Sequence, residues 1–235
     1  MNYEKSILCL ANSRKPPSGR CVAGKEIAGS KYGAWIRPIS DRPGHEISEE
    51  ERRFEDGKKA KVLDIVTVPM IEPRPMRYQT ENHLIDEDYY WVKSGVASWE
   101  AVKAALDSLK GPLWVNGHST FHGVNDKVPE NLAGDLKSSL VLLSIPELRI
   151  DVVTESGYEG RPGRRRVRAV FDHAGHHYSI VVTDPEVEDV YFAKKNGQYE
   201  IRDAIVCFSL SELAYGHAFK LAAAIITKER CEGAV

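Results

Sequence analysis

The chain has 235 residues, 42% of them hydrophobic and 28% charged, with a formal net charge of −2. That is a folding composition, long enough for one large or two small cores, and too near neutrality to coat nucleic acid by bulk charge alone. No apolar run reaches the ~20 residues that span a bilayer, so no membrane partner is expected. The N-terminal apolar run is too short for a secretory signal, and the four cysteines lack C-x-x-C spacing, which argues against a zinc ribbon and for a reduced, cytoplasmic protein.

In chain order, residues 7–39 read as three short strands. The apolar run Ile7–Ala11 meets the cationic turn Asn12-Ser13-Arg14-Lys15; Pro16, Pro17, Ser18 and Gly19 follow, then Arg20–Lys25 and Ala34–Ile39. Residues 1–40 hold seven Lys/Arg against two acids, a local +5. The charged segment 41–61 is a solvated face, with a helix expected over Ile47–Phe54 from the capping box Ser48/Glu51. Val62–Pro69 is a β-branched strand, and three prolines in 69–80 predict an extended loop leading to Glu81-Asn82-His83 and Asp86.

Ser98 caps a helix whose apolar positions are Val102, Ala105, Leu106 and Leu109, closed by Gly111-Pro112. The polar stretch 116–135 reads as the inter-domain connection. Strands follow at 139–145, 148–153, 164–172, 177–183, 190–193 and 204–210, with Asp184-Pro185 as a turn and 219–226 favoured as a closing strand. Cys9, Cys21 and Cys207 fall in apolar runs, as small buried hydrophobes do. The pattern predicts a mainly β protein with a few helices.

No P-loop, dinucleotide fingerprint or nucleophile elbow is present. His118/His122 and His173/His176/His177 have suggestive spacing but sit on loop-like or alternating segments, so no metal and no cofactor is expected. The candidate binding set is Asn12, Ser13, Arg14, Lys15, Arg20, Lys25, Trp35 and Arg37. Cations interleaved with an aromatic suit phosphates and stacked bases; solvated turns and a core tryptophan are the alternative. Glu81, Asn82, His83 and Asp86 form a second polar group, either acid–base residues or a local cap. Arg164, Arg166 and Arg168 alternate on one strand face with Arg165 on the other, reading as a charge-guarded edge or a second nucleic-acid patch.

Cys9–Lys15, Gly19–Lys25, Trp35–Ser40, Glu81–Asp86, Val181–Pro185, Cys207–Leu210 and Phe219–Ile226 together resemble the dual OB-fold proteins, across nearly the whole chain. Gly216–Leu221 departs from the family's ending by losing an aromatic. The resemblance implies two OB-like β-barrels packed in tandem: residues 1–125, with a helix-containing insertion at about 69–115, and residues 136–235. It implies binding of single-stranded nucleic acid or a nucleotide, and a place in prokaryotic defence. Two alternatives stand beside this: an enzyme acting on a nucleotide or modified base in a cleft near Arg14, Lys15, His83 and Asp86, and a protein-interaction module with a protein partner.

Overall fold

The computed structural model describes residues 2–29, 31–157 and 162–233. The order is β1 (Tyr3–Lys15), β2 (Gly19–Ala28), β3 (Lys31–Ile39), β4 (Asp64–Pro73), β5 (Asn82–Ile85), β6 (Val92–Val96), α1 (Trp99–Ala104), β7 (Lys127–Pro129), α2 (Glu130–Ala133), β8 (Leu140–Glu155), β9 (Arg164–His173), β10 (His176–Val182), α3 (Pro185–Phe192), β11 (Gly197–Leu210), β12 (His217–Ile226) and α4 (Lys228–Cys231). Two compact units result. One comprises Met1–Leu106, Lys137–Ser139 and Lys228–Val235, the other Asp107–Leu136 and Leu140–Thr227.

The first unit closes a ring of pairings, β1-β2-β3-β5-β4 and back to β1, with β3 and β5 parallel and the other pairs antiparallel. β6 extends this sheet from β4. The second repeats the plan as β8-β9-β10-β12-β11 and back to β8, with β10 and β12 parallel. A five-stranded Greek-key ring is the OB architecture. The expected mainly β, tandem OB-like fold is what the chain adopts.

Alternation explains each core. Ile7, Cys9, Val22, Ile36, Val66, Val68 and Ile85 turn inward in the first unit, joined by Ile47, Phe54 and Ala60 from the 41–63 segment. Gly24 lies where β2 crosses β1 so closely that a Cβ would meet the Leu8 carbonyl oxygen at 2.1 Å. In the second unit Phe171 stacks on Tyr178 and Phe208, at centroid distances of 5.0 and 4.9 Å, among Ile150, Val152, Val167 and Val206.

Several elements differ from expectation. The Ser48/Glu51 box forms, Ser48 N donating to Glu51 at 2.6 Å and Glu51 N to Ser48 Oγ at 3.1 Å, but it closes a turn with no helix over 47–54. Arg20 bridges to Ile47 there, and pairing with β2 wins over helix propagation. Residues 190–193 are not a strand: 190–192 end α3, because Asp184 is its N-cap and Pro185 its first residue. The 69–80 loop begins as β4, which runs to Pro73, and 82–85 is a strand. The helix after Ser98 stops at Ala104. The strands at 139–145 and 148–153 are one, β8; Pro146 fits inside it because the ladder to β11 skips the opposing Asp203, which is left-handed at φ 54°, and β9 joins β8 only from Arg149. Cys9 and Cys207 are buried as expected, whereas Cys21 is partly exposed.

Candidate nucleic-acid interface

The β1–β2 hairpin puts Arg14 directly opposite Arg20 and Lys15 opposite Gly19. Arg14 is exposed and Lys15 half-buried. Arg20 leans to Glu49, Nε to Oε1 3.3 Å. Glu49 also takes Arg52 at 2.6 Å and Lys59 at 3.0 Å. Burial alone would raise its pKa, but hydrogen bonds from Arg52 and Lys59 outweigh that and hold it at about 2.

The other members of the predicted set lie deeper. Asn12 and Ser13 are buried, and Asn12 donates to the Ala60 carbonyl at 2.9 Å. Lys25 is buried with its ammonium 5.6 Å from the centre of the half-buried Trp35 ring, its direct cross-strand partner. Arg37 is 3% exposed; it donates to Ser139 Oγ at 2.9 Å and pairs with Glu81 at 3.2 Å, and Ser139 donates to Glu81 in turn. Asn12, Ser13, Lys25 and Arg37 therefore do not form an outer phosphate-binding face. They hold the first unit together from within. Arg14, Lys15, Arg20 and Trp35 remain at its surface.

Glu81, Asn82, His83 and Asp86 also part company. Glu81 and Asn82 are buried. His83 turns to the other end of β1, where its Nδ1 lies 2.5 Å from Tyr3 Oη. Burial, with the Lys5 cation behind it, holds the His83 pKa below its usual value, while burial and Glu72 raise that of Tyr3. A protonated phenol and a neutral imidazole therefore share one hydrogen bond. Lys5 pairs with Glu26 at 2.7 Å and lies 5.9 Å from the Tyr3 ring centre. Asp86 accepts from Asn2. Tyr3 and Lys15 are the two ends of one 13-residue strand. The cleft expected to unite Arg14 and Lys15 with His83 and Asp86 is not formed.

In the second unit the arginine strand is not a free edge, since β9 pairs with β8 from Val170 to Arg164. Arg168 donates to Glu155 at 2.6 Å and Arg166 approaches it at 3.9 Å, while Arg165 turns the other way, to the Phe192 and Lys194 carbonyls. His122 contacts both the carbonyl and the hydroxyl of Ser156, His173 the Gly111 carbonyl and His177 Asp172. Sequence reasoning missed Lys220. It is fully buried, donates to Asn116 Oδ1 at 2.8 Å and lies 5.3 Å from the Tyr178 ring centre. Burial pushes its pKa down to about 7 against the opposing pull of Asp126. Its signal was a lone lysine in an otherwise apolar alternating run. Among the described residues no helix is long and apolar enough to cross a membrane, and no three His, Cys, Asp or Glu gather as a metal site.

A comparison with curated proteins finds no match. One solved structure, described as "Molecular basis for abrogation of activation of pro-inflammatory cytokines", aligns over 96% of this chain and 93% of its own at 8% identity and a TM-score of 0.31, too low to bear on fold or function. The model of the dual OB-containing domain matches residues 5–225. That span takes in all but the outermost residues of both OB-like rings, and the chain belongs to the dual OB-containing domain family.

Proposed function

We propose that this protein binds single-stranded nucleic acid, and that the β1–β2 hairpin end of the first unit is one contact surface. The observation that carries the reading is the direct cross-strand opposition of Arg14 and Arg20. Two guanidiniums set across one strand pair gather positive charge at this hairpin end, with Glu49 against Arg20, and a polyanion lying across both is attracted. Lys15 adds a third cation on the same rigid hairpin, and a half-buried Trp35 lies on the adjoining β2–β3 pair. OB rings serve as nucleic-acid scaffolds because strand faces and connecting loops present cations and rings together.

The test is fluorescence-anisotropy titration of labelled single-stranded DNA and RNA at low and moderate salt. Arg14→Ala/Lys15→Ala is expected to weaken binding and to flatten log K against log salt by about 1.4, since each lost phosphate contact removes about 0.7 on a single strand. An unchanged slope sinks this placement.

A further inference from the structure

The segment between α1 and β7 places an exposed aromatic ring on an unusually braced loop. Phe121 is 82% exposed. Its neighbour His122 meets it edge-on, centroids 4.8 Å apart, and lies 3.2 Å from the Ser156 carbonyl. Asp126 accepts from Thr120 N at 2.7 Å and from its hydroxyl at 2.6 Å, and that hydroxyl accepts from Gly123 N at 3.0 Å. Val124 exchanges two backbone hydrogen bonds with Ser179 of β10, at 3.2 and 3.0 Å. Gly123 is required, because a Cβ there would lie 1.7 Å from Asp126 Oδ2. So many bonds fixing a loop whose largest apolar side chain packs on little of its own protein points to a ring held ready for something else.

The charge beside it says what. Asp126 lies 3.6 Å from Arg168, which also reaches the Ser179 carbonyl at 3.2 Å, so the loop is fastened to β9. Along that face of β9 come Arg166 and the exposed Arg164. Arg164 stands opposite Glu155, the residue before the Ser156 that His122 contacts. Arg166 Nε is buried on the Glu155 side, 3.9 Å from that carboxylate and without a hydrogen bond, while the side chain as a whole is partly exposed. An exposed Arg164 and a partly exposed Arg166 on the strand face that leads to a presented ring are complementary to an unpaired base and its phosphates.

We infer that Phe121, Arg164 and Arg166 form a second single-stranded nucleic-acid subsite, on the second unit, with a base stacked on Phe121 and phosphates on the arginines. It shares the ligand class of the first-unit reading but none of its residues. The experiment uses the full chain and a fluorescein-labelled DNA or RNA oligonucleotide carrying 5-iodouracil, with anisotropy for affinity and mass-spectrometric mapping of photo-crosslinks. Phe121→Ala is expected to weaken binding about fivefold or more, Phe121→Trp to preserve it, and Arg166→Gln to lower the salt slope by about 0.7. Crosslinks are expected within residues 118–126. Circular dichroism melting confirms folding, which an exposed side chain leaves intact. Wild-type affinity in Phe121→Ala with crosslinks confined to residues 12–37 overturns the second-unit subsite and leaves the hairpin reading standing. Crosslinks at 118–126 with full affinity in Arg14→Ala/Lys15→Ala do the reverse. No binding at all overturns both.

Discussion

Lys220 and His83 are titratable side chains on the last strand of their rings, the first fully buried and the second half-buried, and burial pushes both pKa values down. For a lysine whose folded pKa of about 7 lies below its ordinary value of 10.5, the unfolded chain holds more protons between those two values. Stability from this group therefore rises with pH across that window, by at most about 1.4 kcal/mol per unit, and is flat below it. Lys220→Met should be relatively most favoured at neutral pH and lose that advantage towards pH 10, read from denaturant midpoints at both ends. For His83 the Lys5 cation is the second cause after burial. Lys5→Gln removes that cation and leaves Glu26 without its partner, and both changes favour imidazolium, so the His83 pKa measured by NMR should move up. Arg37 and Glu81 are a buried pair, and removing one member strands the other. Arg37→Ala should cost about 3–5 kcal/mol, while Arg37→Met/Glu81→Leu, which strands no charge, should cost clearly less. Equal losses in denaturant unfolding would show that the pair's charges are not what matters.

At the scale of elements, Asp184 is the joint to examine. One carboxylate oxygen accepts from Glu186 N at 3.2 Å and caps α3; the other accepts from Ile225 N of β12 at 3.1 Å. Asp184→Ala loses a cap worth about 1 kcal/mol and strands a buried backbone N–H worth about 1–3 more. A thermal or denaturant unfolding curve should show the combined loss. Asp184-Pro185 reads as a turn because those residues start turns and helices alike; only Ile225, 41 positions away, decides between them. The long alternating strands were legible for the reason that one face of each is buried. β5, β6 and β7 were not: they have four, five and three residues, and no period can be read from so few. The same limit misled the charge reading. Arg20 and Arg37 count towards a local +5, but their partners Glu49 and Glu81 lie outside residues 1–40. Arg14 and Lys15 could be found from sequence because a proline-rich turn keeps them at a hairpin end. Phe121 and its aspartate-braced loop could not, since nothing local says that residues 120 to 126 bond one another.

At the scale of the molecule, each unit has its own ring and core, but the first is not one stretch of sequence. Ser139 completes the Arg37–Glu81 contact, and the terminal helix α4 contributes Arg230, which is 8% exposed and acts electrostatically on the buried Cys9 thiol, itself pushed up to about 12 by burial first of all. A fragment of residues 1–106 lacks both and should melt well below the same unit in the whole chain, by scanning calorimetry. The interleaving also sets an order of events during synthesis. The first ring's strands leave the ribosome early, yet Ser139 and residues 228–233 emerge only after the second unit has begun or finished appearing. The unit whose strands are encoded first is thus the one finished last: a chain ended just after Thr227 holds every strand of both rings and still lacks α4 of the first unit.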